Sequence, residues 1–406
     1  MNSFQTTRRS FLTSSAAAVG LLAVPGLSLA DEQRTADQLI RGKDRRLLVL
    51  KPYPAVLETP LPLLAEQKLT PNNLLFVRNN AQPKTAATLA PLKDTEWTVR
   101  LTGYLNKSAT VRLRELQSMP QTSVEMVLQC SGNGRSLFSK AAQTSGTQWG
   151  RGGMGNVKFS GVRLSTVLDR LGVEPADAVQ FVNASGRDEP LPDKEPFLHS
   201  LPVDEVLNNS LLALDLNGGP IPAIHGGPVR LVTPGVFGTM HIKWLSDLKF
   251  VSSESTNYNH VPRYRVPRKP IKPGTEYDFT LANSNYNWKL KTKSVLLSPN
   301  DGDAVKAGNV SLKGVAFTDG DAAITSVLIS TDRGASWQAA RLAPSDSRYG
   351  WTQFDLTVPL KAGRQSLWCM ATDSLGRSQP VDGSVAWNPR GYEWNGVEKV
   401  EVVVAG

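Results

Sequence analysis

Cys130 is the residue whose setting most invites chemistry. It follows the strand-like run Val127-Leu128-Gln129 and opens a tight polar turn, Ser131-Gly132-Asn133-Gly134-Arg135. A thiol at a strand end, beside exposed backbone amides and an arginine, is expected to have a lowered pKa and could bind a soft metal as thiolate. A buried free cysteine is the plainer alternative. A nucleophilic thiol would need a base that no nearby histidine supplies. The other cysteine, Cys369 in Leu367-Trp368-Cys369-Met370, falls inside a strand-like segment and reads as core. A bridge between the two would join separate domains and is not expected.

Other motifs exclude more than they suggest. Two cysteines in 406 residues cannot form a four-cysteine zinc or iron–sulfur cage, and no C-x-x-C-H is present for a covalent haem. The four histidines, His199, His225, His241 and His260, include no H-E-x-x-H. Gly150-Arg151-Gly152-Gly153-Met154-Gly155 satisfies G-x-G-x-x-G, but a polar segment precedes it and no amphipathic helix comes after it, so a flexible loop is expected rather than a dinucleotide site. Serine-hydrolase elbows and phosphate-binding P-loops are missing. The net charge of +9, from 45 basic and 36 acidic residues, favours anionic ligands. Nothing points to nucleic acid.

The elements that must position these residues fall into four stretches. Residues 1–30 carry Arg8 and Arg9, no acidic residue, and a short apolar run ending at Leu27-Ser28-Leu29-Ala30. This reads as a twin-arginine export signal rather than a membrane span, and implies a periplasmic protein. Residues 31–95 are an extended, proline-rich lead-in. Residues 96–270 mix strands (Trp97 to Leu105, Ser123 to Leu128, Ala178 to Ala184, Leu211 to Leu216, Val229 to Val232) with a helix expected over Ser160 to Gly172, which suggests an α+β domain. The passage Val261-Pro262-Arg263-Tyr264-Arg265-Val266-Pro267 is too proline-rich for a helix and reads as a connector. Within 271–406, short strands separated by Gly, Pro and Asp turns suggest an all-β sandwich.

Several of these segments, taken in order, resemble the sulfite oxidases and the molybdenum domain of assimilatory nitrate reductases. Cys130-Ser131-Gly132-Asn133-Gly134-Arg135 is similar to that family's cysteine loop, and Leu75-Phe76-Val77-Arg78-Asn79 to its upstream arginine segment. Further matches, in the family's order, are His225-Gly226-Gly227-Pro228-Val229-Arg230, Pro234-Gly235-Val236-Phe237-Gly238 and His241-Ile242-Lys243-Trp244-Leu245. The similarity runs over about residues 70–400 and implies an α+β sulfite-oxidase-type molybdopterin domain followed by an all-β immunoglobulin-like dimerisation domain.

The resemblance also implies roles. Cys130 takes the position of the cysteine that ligates molybdenum beside a pterin dithiolene. Phe76, Arg78, Asn80, Asp188, His225, Arg230, His241 and Lys243 fall in or near segments matched to cofactor binding, with His225, Arg230 and Lys243 on the stretch that holds the pterin phosphate. Arg78 and Arg135 match arginines near the anionic substrate, and Tyr264 an active-site tyrosine, although a linker aromatic would also fit there. Many relatives carry histidine where this chain has Asn80, which removes a positive charge. Consecutive arginines in the family loop become Gly134-Arg135.

The function implied by the resemblance is that of a periplasmic sulfite dehydrogenase, which makes sulfate at a molybdenum–molybdopterin centre, forms a homodimer and contains no haem. Its electrons are expected to go to a separate acceptor, a c-type cytochrome, with oxygen as the plant-type alternative. An exported molybdenum reductase of sulfoxides or nitrate runs the oxygen transfer in reverse and is the rival enzyme reading. A cofactor-free binding module built on the sandwich is the rival of another class.

Overall fold

A computed structural model describes residues 40–52, 54–65, 67–83, 96–189, 195–381 and 385–406. The export-signal expectation, on residues 1–30, lies outside the described residues. Alternating apolar and polar residues build two sheets that enclose the first core. One has the strand order Leu198–Pro202, Phe181–Gly186, Leu245–Val251, Thr98–Gly103, Ala109–Arg112. Its inward residues, among them Val99, Leu101, Val182, Ala184 and Leu248, are buried against Val167 and Leu168 of the helix Leu164–Leu171. The other runs Gly219–Pro220, Leu211–Leu216, Met154–Arg163, Thr122–Gln129, with Arg230–Val232 also pairing to Leu211–Leu216.

The helix begins four residues later than the apolar spacing predicts. Ser160, Gly161, Val162 and Arg163 extend the strand Met154–Arg163 and pair with Leu211–Leu216. Gly161 lies so close to Leu212 that an added Cβ would come within 2.2 Å of its carbonyl oxygen. Interstrand pairing therefore overrides helical periodicity, and Gly172 ends the helix in the left-handed region at φ 59°.

The Gly150–Gly155 segment is neither a dinucleotide loop nor a free one. The Glu58 carboxylate accepts from the Gly150 and Gly152 amides at 2.9 and 2.8 Å, and the chain then enters a strand, not a helix. This pinned segment matters because the register Gln129↔Met154 sets Cys130 one residue past the strand end, where its amide donates to the Gly153 carbonyl at 2.9 Å.

Beyond residue 290 the chain forms a two-sheet sandwich. The first sheet has the order Lys293–Ser298, Gly308–Phe317, Thr352–Leu360, Arg341–Leu342. The second has the order Ala304–Lys306, Glu398–Ala405, Gly363–Asp373, Ile324–Ser330, Gln338–Ala339. Their facing side chains, including Leu312, Val327, Phe354, Leu367, Cys369 and Val402, form a second core. The expected connector does more than link the domains. Arg265–Pro267 pairs with Ser284–Tyr286, and this ladder fixes Tyr264 at φ 52°. Among the described residues no helix is long and apolar enough to cross a membrane.

Candidate active site

Three loops and a strand end converge on one cavity. Phe76, Arg78, Asn79 and Asn80 reach it from the strand Val77–Arg78, which pairs with Val56–Glu58, and the residues beside it, and Cys130 and Ser131 from the end of Thr122–Gln129. Asp188, Phe197, His225, Arg230, Thr239, His241, Lys243 and Tyr264 complete the wall. Of the residues singled out in the sequence, the structure brings together all but Arg135.

Cys130 is buried, and burial pushes its thiol pKa up although the charges of Arg78 and Arg135 and the Gly132 amide pull down. This corrects the expectation of a lowered value: desolvation wins over the nearby cations. The thiol is therefore not a free nucleophile. A coordinating metal reverses the balance, because it deprotonates a thiol outright.

At the other end of the cavity, basic side chains crowd around a single carboxyl, Asp188, among the described residues. Lys243 donates to the Asn79 side-chain carbonyl and the Ile224 backbone carbonyl, both at 2.7 Å. Arg230 donates to the His225 carbonyl at 2.9 Å. Lys43, which sequence reasoning missed, stands 3.1 Å from His225 Nε2 and donates to the Leu75 carbonyl at 2.6 Å. Burial is the first cause of every shift here: Lys43 falls to about 7, Arg230 to about 9 and His241 to about 3, and Lys243 and His225 also drop well below their ordinary values. Mutual repulsion adds to the fall at His225, His241 and Lys243. The carboxyl on this wall, Asp188, is pushed up to about 6 by burial, so it is still largely ionised at pH 7 and offsets part of this charge, that of Lys243 in particular.

At the mouth, Asn80 ties three groups together. Its Oδ1 accepts from Arg78 Nη2 at 2.5 Å, from Arg263 Nη2 at 2.9 Å and from the Tyr264 hydroxyl at 2.9 Å. Two guanidinium groups thus share one neutral acceptor. Tyr264 is held between Tyr392, stacked at 5.3 Å, and the edge-on rings of His199 and Phe197. Arg263 gave no sequence signal beyond its place beside Tyr264. Arg135 lies behind the cavity wall: its Nε and Nη1 donate to the Arg390 and Thr147 carbonyls at 2.7 Å each, and its guanidinium packs over Tyr392. It braces the loops around Cys130. Gly132 makes room for it, since a Cβ there would come within 2.6 Å of its guanidinium.

Residues 86–259 match the model of the oxidoreductase molybdopterin binding domain, and residues 284–405 that of the Mo-co oxidoreductase dimerisation domain. The chain is similar to sulfite oxidase of Gallus gallus, 32% identical over 352 residues that cover 84% of this chain and 74% of that one. It is 33% identical to mitochondrial sulfite oxidase of Mus musculus over 382 residues, covering 91% and 67%. The chain belongs to the sulfite oxidase family. It spans 64% of the length of the Drosophila melanogaster mitochondrial enzyme, to which it is also similar. Its fold is that of the sulfane dehydrogenase SoxCD of Paracoccus pantotrophus, with a TM-score of 0.72 over 96% of this chain and 95% of that one at 24% identity.

The cavity fits the family's cofactor. Asn79 Nδ2, Ser131 Oγ, Arg230 Nε and His241 Nδ1 are buried polar atoms with no hydrogen-bond partner among the described residues, and all four residues line the cavity. Such atoms cost free energy unless a ligand meets them. An anionic group with many hydrogen-bonding atoms at one end, and a soft metal within reach of a thiol at the other, satisfies both the orphaned atoms and the crowded basic side chains.

Proposed function

We propose that this protein oxidises sulfite to sulfate at a molybdenum–molybdopterin centre ligated by Cys130. The reading rests on one observation above all: a group of basic side chains, Lys243 and Arg230 among them, lines the same cavity as a buried thiol. The cofactor, when bound, supplies the oxygen-atom transfer and accepts two electrons. The chain's own residues do the rest. Arg230, Lys243, His225 and His241 hold the pterin and its phosphate, with Asp188 and Phe76 on the same wall. Arg78 and the Tyr264 hydroxyl, fixed by Asn80, orient the small anion, and Arg263 adds positive charge at its entrance. Burial of this wall keeps water from screening those charges.

The electrons leave one at a time to an external acceptor, a c-type cytochrome, through a small and salt-sensitive encounter. The protein works in the periplasm after twin-arginine export and pairs through its C-terminal sandwich into a homodimer. Metal-quantified protein assayed with sulfite and ferricyanide, and separately with reduced viologen and a sulfoxide or nitrate, tests the reading. Faster reduction than sulfite oxidation would replace it with the reductase.

A further inference from the structure

His199 and His260, far apart in sequence and outside the cofactor wall, meet in the interior. Four side chains form a continuous chain from the cavity to the surface. Thr239 Oγ1, on the cavity wall, is 3.1 Å from His199 Nε2. His199 Nδ1 is 3.0 Å from His260 Nδ1, and His260 Nε2 is 2.7 Å from Glu254 Oε1. Both histidines are fully buried, whereas the Glu254 side chain is 16% exposed.

Hydrogen-bond chemistry leaves this chain two states. Glu254 is held as a carboxylate by Arg265, which donates to the same oxygen at 2.5 Å, so His260 Nε2 must carry a proton. His199 stays neutral, because burial and the charges of His260 and Arg263 lower its pKa. It therefore carries one ring proton. The Nδ1–Nδ1 contact admits one proton between the rings. When His260 is neutral, His199 donates from Nδ1, its Nε2 accepts from Thr239, and the threonine oxygen offers lone pairs to the cavity. When His260 is an imidazolium, every bond from Thr239 to His260 reverses.

We propose that Thr239, His199, His260 and Glu254 form a proton store for the cavity, in which a proton released there is held as the His260 imidazolium. This rests on the sulfite reading. Sulfite and water give sulfate, two protons and two electrons; sulfur is oxidised and a one-electron acceptor is reduced twice. One proton binds Thr239 Oγ1 as the threonine passes its own to His199 Nε2. The Nδ1 proton of His199 crosses to His260 Nδ1. The other proton passes to cavity water. After sulfate leaves, the stored proton returns by the same path to water at the mouth. Glu254 stabilises the loaded state as the carboxylate of an acid–base triad does. The other groups facing His260 and its partners are Tyr286, stacked at 5.8 Å on His260, Arg265 over Tyr286, Glu205 near Tyr286, and Tyr264 and Arg263 near His199. His199, His260 and Glu254 are positioning residues that act through Thr239.

The chain holds only four histidines, so selective ¹⁵N-histidine labelling of the full protein reads the store directly. As pH falls, His260 should gain its second proton while His199, still neutral, switches from the Nδ1–H to the Nε2–H tautomer at the same midpoint. A His199 that keeps one tautomer, or titrates itself, overturns the proposal. In holoenzyme, Glu254→Gln should move both this midpoint and the acid limb of the kcat profile about one unit to lower pH. An unmoved limb with a moved midpoint overturns it. Thr239→Val should lower kcat about tenfold with the His260 titration intact, and Thr239→Ser should restore it. Wild-type turnover in Thr239→Val overturns it. If wild-type holoenzyme does not oxidise sulfite while the tautomer switch is present, the sulfite reading fails and the store stands.

Discussion

The two cysteines of this chain are both buried, and burial raises both thiol pKa values, yet their surroundings differ in kind. Around Cys369 one carboxylate, Glu398, stands with two basic side chains, Arg151 and Lys293. Glu398 meets Arg151 in an ion pair, and burial lowers Lys293 to about 8 although the Glu398 charge opposes the fall. The Cys369 thiol itself donates to Ser294 Oγ at 2.9 Å. Cys130 faces Arg78 and opens onto a wall of Arg230, Lys243 and two histidines. The carboxylate whose charge reaches Cys130, Glu58, is engaged by the Gly150 and Gly152 amides. Burial therefore does not mark the site. A gathering of partnerless polar atoms on one cavity wall does: Lys293 Nζ is also buried without a hydrogen-bond partner, whereas Asn79 Nδ2, Ser131 Oγ, Arg230 Nε and His241 Nδ1 belong to residues that all line the cavity at Cys130.

The largest effects come from breaking each cluster at its centre. Cys130→Ser should leave a folded protein, with a melting temperature within a few degrees of wild type, and almost no sulfite turnover. Molybdenum content and a sulfite assay on the same sample check it, and full turnover would remove Cys130 from the site. Glu398→Gln should do the reverse, sparing the chemistry but destabilising the fold by about 3–5 kcal/mol, because buried Lys293 and part-buried Arg151 both lose the carboxylate that acts on them. Denaturant midpoints measure this.

Lys43 sharpens the contrast through pH. Its folded pKa of about 7 lies below the ordinary 10.5, so between those values the unfolded chain binds more protons than the folded one. Stability of the cofactor-free protein should then be highest above pH 10.5 and fall as pH drops towards 7, by up to about 4 kcal/mol from this group. Lys43→Met should flatten that slope, and a bound polyanion should do the same in wild-type protein. An unchanged slope in the variant would place the cost of the cationic wall elsewhere.

The sequence made Cys130 legible because a strand followed by a Gly-Asn-Gly turn is a local pattern, and the sandwich strands because their alternation is local too. Ile324–Ser330 has the bounds that alternation predicts. Non-local features stayed hidden. Ser160–Arg163 reads as helix until its partner strand at Leu211–Leu216 is known. Lys43 is one basic residue among several in an irregular lead-in, and only its place against His225 gives it meaning. The same holds for His199 and His260, which lie 61 positions apart. The raised thiol of Cys130 was illegible for a further reason: the arginine beside it is visible in sequence, whereas the depth of burial that outweighs it is not.

The smallest expected effect is at the second cysteine. Cys369→Ala removes one sulfur from a core position flanked by Leu367 and Ala371, with its hydrogen bond to Ser294. Ser294 keeps a partner in Gln379 Oε1 at 2.6 Å, so no buried hydroxyl is stranded. The loss is then a small cavity plus one weak bond, about 1 kcal/mol, with sulfite turnover unchanged. A larger loss of stability would mean that Cys369 helps hold the Glu398 cluster together. Loss of turnover at normal stability would mean that the two cysteines do not divide into core and site, since a thiol in the sandwich core would then be taking part in the chemistry.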